Sequence, residues 1–132
     1  MTNNEIAFTT QQIDAAYINS LVDLVNACRE LDVKIDEVFH YQHGWIVTFE
    51  GFSGDAICHS GSYGSPCYGG LYDPSIERNN WDKDGRWETY GFPWDNGDVS
   101  VHDASTLAHM LAALRDGFDW KSCEYYDNKP SS

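Results

Sequence analysis

The densest concentration of groups that could do chemistry lies between residues 72 and 98, where aromatic and acidic side chains interleave: Tyr72-Asp73, Glu77, Trp81-Asp82, Asp84, Trp87-Glu88-Thr89-Tyr90, Trp94-Asp95 and Asp98. Two chemistries suit such a run. Paired carboxylates beside tryptophan are what a glycosidase or sugar-binding cleft uses, one acid protonating a leaving oxygen while the other stabilises or attacks the sugar. The same residue types also serve protein recognition. Tyr and Trp make rigid anchors at low entropic cost, and carboxylates pair bidentately with the Arg and Lys that elsewhere grip phosphate. With 21 Asp and Glu in 132 residues, acids fall near tryptophan by chance, which favours recognition over hydrolysis.

Other constellations are incomplete. Asn80-Trp81-Asp82-Lys83-Asp84-Gly85 places oxygen ligands and a glycine as a calcium loop does, but Gly91 stands where the bidentate glutamate belongs. Cys58, His59 and Cys67 lie near His40 and His43 without zinc-type spacing, and on a strand Cys58 and His59 would point to opposite faces. Cys58 or Ser62 could act as a nucleophile only with a histidine in reach, and Ser60-Gly61-Ser62-Tyr63-Gly64 lacks the first glycine of a nucleophile elbow. No phosphate-cradling glycine loop occurs, and no cofactor is expected.

Charge narrows the partners. Eight Lys and Arg against 21 acids leave a formal charge of −13, well beyond what solubility asks of a small domain. Such a field repels nucleic acid and anionic membranes and complements a basic protein. No basic leader or long apolar run is present, so a cytoplasmic location, in the producing or an infected cell, is the expectation, with Cys28, Cys58, Cys67 and Cys123 as thiols.

The elements that must position these residues follow from periodicity. Thr9 and Gln12 have capping-box spacing, and Ile13, Tyr17, Leu21, Leu24, Val25, Cys28 and Leu31 then mark one apolar stripe of a helix, with Asn19, Asp23, Asn26 and Glu30 on its wet face. Val38 to Tyr41 and Trp45 to Phe49 flank Gln42-His43-Gly44 as a hairpin, and Ala56 to His59 adds a third strand. Residues 61–98 form an unusually long connection hiding one strand, Arg86 to Tyr90. Val99 to His102 is the last central strand, and Asp103 caps a helix whose stripe is Leu107, Met110, Leu111 and Leu114, ended by Gly117. The tail from Phe118 through Tyr126 has the composition of an edge strand.

The expected fold is a single α+β domain over residues 1–132, two helices packed on a small antiparallel sheet of four to five strands with a long aromatic-acidic loop. The expected function is non-catalytic: inhibition or regulation of a basic protein, most concretely a nucleic-acid-binding enzyme or effector whose polyanion site the chain occupies. The contact residues would be Asp73, Glu77, Trp81, Asp82, Asp84, Trp87, Glu88, Trp94, Asp95 and Asp98. In size and charge, though in no residue motif, the chain looks like the small acidic inhibitors that phages and plasmids deploy against restriction or CRISPR systems. The alternative is a small hydrolase or carbohydrate-binding module built on the Trp/Asp/Glu cluster.

Overall fold

The computed structural model describes residues 6–7, 10–63, 65–66, 71–72 and 85–119. In chain order the elements are β1 (Ile6–Ala7), α1 (Thr10–Glu30), β2 (Ile35–Tyr41), β3 (Gly44–Phe49), β4 (Asp55–Cys58), β5 (Leu71–Tyr72), β6 (Trp87–Tyr90), a 3-10 turn (Pro93–Asp95), β7 (Ser100–His102) and α2 (Ala104–Arg115). Strands β2, β3, β4, β6 and β7 lie in that order in one antiparallel sheet, and β1 pairs with β5 in a separate short ladder. Both helices pack against the larger sheet, which is the α+β arrangement expected from the periodicity. The short β1–β5 ladder has no signature in the sequence, because two residues show no period. Thr9, the side chain of Gln12 and the tail from residue 120 lie outside the described residues.

Helix α1 buries Tyr17, Leu24 and Cys28 and leaves Asn19, Asp23, Asn26 and Glu30 exposed, so from Tyr17 onward its stripe and wet face follow the predicted spacing, the side chain of Ile13 lying outside the described residues. It ends in a Schellman motif: Val33 N–H donates to Cys28 O at 2.8 Å and Asp32 N–H to Arg29 O at 3.2 Å, with Asp32 left-handed at φ 58°. Helix α2 starts at Asp103, whose carboxylate accepts from Thr106 N–H at 2.8 Å, a bond that holds the carboxyl below its ordinary pKa. Its end repeats the motif with Gly117 at φ 96° and Phe118 N–H donating to Ala113 O at 2.9 Å. Arg115 ties the two helix ends together, its Nη1 donating to Leu31 O at 2.8 Å and Asp32 O at 2.9 Å, where the carbonyl end of α1 is negative.

The core fills the space between helices and sheet with Tyr17, Leu24, Val47, Phe49, Ala56, Cys58, Trp87, Leu107, Ala108 and Leu111, all essentially inaccessible. Each large side chain so buried contributes roughly 1.5–3 kcal/mol of transfer free energy. Trp45 lies at the margin of this core and donates its indole N–H to Tyr17 O at 2.8 Å, which locks the first hairpin onto α1. Burial also pushes the Cys28 thiol up to about 11, so it is inert packing at neutral pH.

Candidate functional site

The antiparallel register sorts the strand residues into rows that share a face. One row, Val38, Val47, Ala56, Thr89 and Ser100, lies on the helix side and is buried at its centre. The neighbouring row, Phe39, Ile46, Ile57, Glu88 and Val101, lies on the other face, and so does the row Glu37, Thr48, Asp55 and Tyr90. Not one residue of these two outer rows is buried. Phe39 is 48% exposed and Tyr90 57% exposed, far more than the core aromatics, so this face is open to a ligand.

Of the ten acidic and aromatic residues expected to make contact, five are described, and they divide between interior and surface. Trp87 and Trp94 are buried, and so is Asp95 at 1% exposure, which corrects their reading as contact residues. The physical reason is a polar hub. Asp95 accepts from Thr89 Oγ1 at 2.9 Å, from Ser100 Oγ, and from Phe92 N–H at 3.1 Å, and Trp94 Nε1–H donates to Thr89 Oγ1 at 3.1 Å. Phe92 stacks on Trp94 with centroids 4.7 Å apart, closing the loop between β6 and β7 over the core. These indoles offer no platform for a sugar. Asp98 is exposed at the hairpin tip, where its carboxylate accepts from Val99 N–H at 2.8 Å. Glu88 alone of the five stands on the open face. Asp73, Glu77, Trp81, Asp82 and Asp84 lie outside the described residues, and so does the calcium-like loop before Gly85.

The hub also contains a serine beside a histidine, with Ser100 Oγ 2.7 Å from His102 Nε2. Ser100 spends its single proton on Asp95, so the imidazole must donate to Ser100 rather than take a proton from it. That is the reverse of what a nucleophilic serine needs. Ser62 is likewise occupied: its Oγ donates to His59 O and accepts from His59 N–H, both at 2.9 Å, which is a turn bond rather than an imidazole contact. Among the described residues no group of three or more His, Cys, Asp or Glu could hold a metal ion. Cys58 points into the core and His59 to the other face, as strand alternation requires.

One end of the open face is finished by the turn after β4. His59 sits under the edge of Tyr41, with centroids 5.0 Å apart, and its Nδ1 accepts from Gly61 N–H at 3.1 Å. Burial lowers the His59 pKa, opposed by the nearby Glu88 carboxylate. Glu88 accepts from Tyr63 N–H at 2.9 Å, which fixes the turn against β6. The Asp55 carboxyl, in the next row, is raised by desolvation and then by the charge of Asp95. The hairpin turn beside this cluster holds Gln42 at φ 46° and His43 at φ 69°, left-handed at both positions as a two-residue type I′ loop demands, and His43 Nδ1 meets Asp14 Oδ1 at 3.2 Å.

Strands β4 and β6 are neighbours, so the long connection between them leaves and returns at one end of the sheet. Its feet are close together: a Cβ at Gly85 would lie 3.1 Å from Pro66 Cγ and would overlap Ser20 Oγ on α1, and its φ of 64° also favours glycine. Two further acids of the open face, Glu37 and Asp55, are distant along the chain from the aromatic-acidic run; Glu37 stands two residues from Phe39 on β2 and Asp55 opposite Tyr90 across β4 and β6. Their sole sequence signal is their position on the outward phase of β2 and β4.

Among the described residues no helix is long and apolar enough to cross a membrane. No protein-family model matches the chain, and neither curated proteins nor solved structures give a match.

Proposed function

We propose that the protein is a non-catalytic acidic binder that inhibits or regulates a basic, nucleic-acid-binding protein by occupying its polyanion site. One observation carries the reading: the five strands of the sheet contain Asp36, Glu37, Asp55 and Glu88 and no Lys or Arg. In a chain of formal charge −13, this sets carboxylates on an ordered scaffold without internal cations to quench them. An ordered array of carboxylates offers a phosphate-gripping Arg or Lys the same charge-assisted geometry that a nucleic-acid backbone does. The enzyme and cofactor chemistries weighed above gain no support from the hub, whose serine points its proton the wrong way.

The test is competition. A basic nucleic-acid-binding protein retained by the immobilised chain should be released steeply by salt and by added DNA or RNA. Retention that added nucleic acid leaves unchanged would contradict the reading.

A further inference from the structure

We propose that the open face of the sheet is the docking surface, and that its occupant is an arginine-bearing surface of a basic protein partner, a proposal that rests on the function just inferred. Phe39, Ile46 and Ile57 form the apolar floor, and Glu37, Asp55 and Glu88 make the ion pairs.

The geometry follows from the ladder. Phe39, Ile46 and Ile57 stand side by side on three adjacent strands, so with strands about 4.8 Å apart they span about 10 Å of apolar surface. Glu37 and Asp55 lie one outward position further along β2 and β4, and Glu88 continues the floor onto β6. An arginine stem can lie on the floor with its guanidinium at a carboxylate, since its methylenes are apolar and its head is a planar fork. Tyr41, 47% exposed, and Tyr90 add ring faces on which a guanidinium stacks.

Charge then selects the occupant. The described cations lie elsewhere: Lys34 pairs with Asp32 at 3.5 Å, Arg115 with Asp116 at 2.9 Å, Arg29 bonds Asn26 at 3.1 Å, and Arg86 acts on Asp103 at the start of α2. Acids at the helix ends thus have local counter-charges, whereas no strand supplies one to Glu37, Asp55 or Glu88. An apolar floor bearing carboxylates that no described Lys or Arg pairs with is complementary to a cationic amphipathic surface and repels a second copy of the same face.

The experiment is a titration of the full, isotope-labelled chain with an octa-arginine peptide, followed by amide and tyrosine-ring resonances at low and at high salt. The expected result is salt-sensitive shifts centred on Phe39, Ile46, Ile57, Glu88 and Tyr90, with affinity cut about tenfold in the Glu37→Gln, Asp55→Asn, Glu88→Gln variant, the sum of a few exposed pairs. Shifts centred on the acids of α1 and α2 would overturn the proposal. So would nuclear Overhauser contacts from residues 67–84 to Ile46 and Ile57, which would make the face a seat for the chain's own segment, or a concentration-dependent dimer that protects these side chains. If nucleic acid still displaces a retained basic protein while the peptide misses this face, the surface is wrong and the function stands. If the peptide maps here while nucleic acid displaces nothing, the function is wrong and the surface stands.

Discussion

The two faces of the sheet use similar residue types to opposite ends. On the helix side, Thr89, Trp94, Asp95 and Ser100 form a hydrogen-bonded, largely buried hub beside Trp87, whose buried indole N–H has no partner among the described residues. On the open side, Phe39, Tyr41, Tyr90, Glu37, Asp55 and Glu88 present aromatic rings and carboxylates to solvent. An interleaved run of acids and aromatics is therefore no guide to exposure. What separates the two is whether the carboxylate is offered donors: Asp95 has three, one from its own loop and two from hydroxyls on β6 and β7, and turns inward, while among the described residues the Asp55 and Glu37 carboxylates have no such set and stay unburied.

The contrast can be broken most severely from the inside. Trp87→Ala should cost about 3–5 kcal/mol of unfolding free energy, read by denaturant titration, because it empties the centre of the core. Asp95→Asn should cost about 2–4 kcal/mol, since the amide nitrogen would replace an acceptor facing either Phe92 N–H or the two hydroxyls. Asp103→Ala, outside both faces, should cost about 1 kcal/mol through loss of the α2 cap. On the open face Asp55→Asn should leave the fold intact and raise the melting temperature slightly at neutral pH, because a desolvated charge beside Asp95 is removed.

Acidity also separates two groups within the open face. The folded pKa of His59 is depressed, so its contribution to stability is present above the ordinary value of 6.5 and is lost as pH falls through the folded value. Asp55 has the opposite sign: its folded pKa is raised above 3.8, so its contribution is present below that value and lost as pH rises through the folded one. Thermal melts of the wild type should therefore show stability falling as pH drops below 6.5, and His59→Gln should flatten that part of the profile. The smallest expected effect is at the hairpin tip, where Gln42→Asn should add about 0.5 kcal/mol by easing a left-handed residue.

Much of the fold was legible in the sequence because long periods report directly on packing. The stripes of α1 and α2 rest on three- and four-residue spacings that only a helix satisfies, while the strands flanking Gln42-His43-Gly44 and the one at Trp87 rest on β-branched and aromatic composition. The site was less legible. Composition placed Glu88 within the strand β6, yet it could not show that Trp94 and Asp95 fold back through Thr89 and Ser100, since those partners are set by the β6–β7 register. Nor could it bring Glu37 and Phe39 of β2 beside Ile46 and Asp55, a grouping that exists only across the β2–β3–β4 ladder.

The most direct test of the account compares two variants of equal charge change for retention of a basic nucleic-acid-binding protein at low salt. One carries Glu37→Gln, Asp55→Asn and Glu88→Gln on the open face, and the other Asp23→Asn, Glu30→Gln and Asp116→Asn on the helix side. The first should lose retention about tenfold while the second changes it less than about threefold, because only the face acids lie in the contact. Equal losses from both variants would contradict it, reducing the acidity to a diffuse field with no docking face.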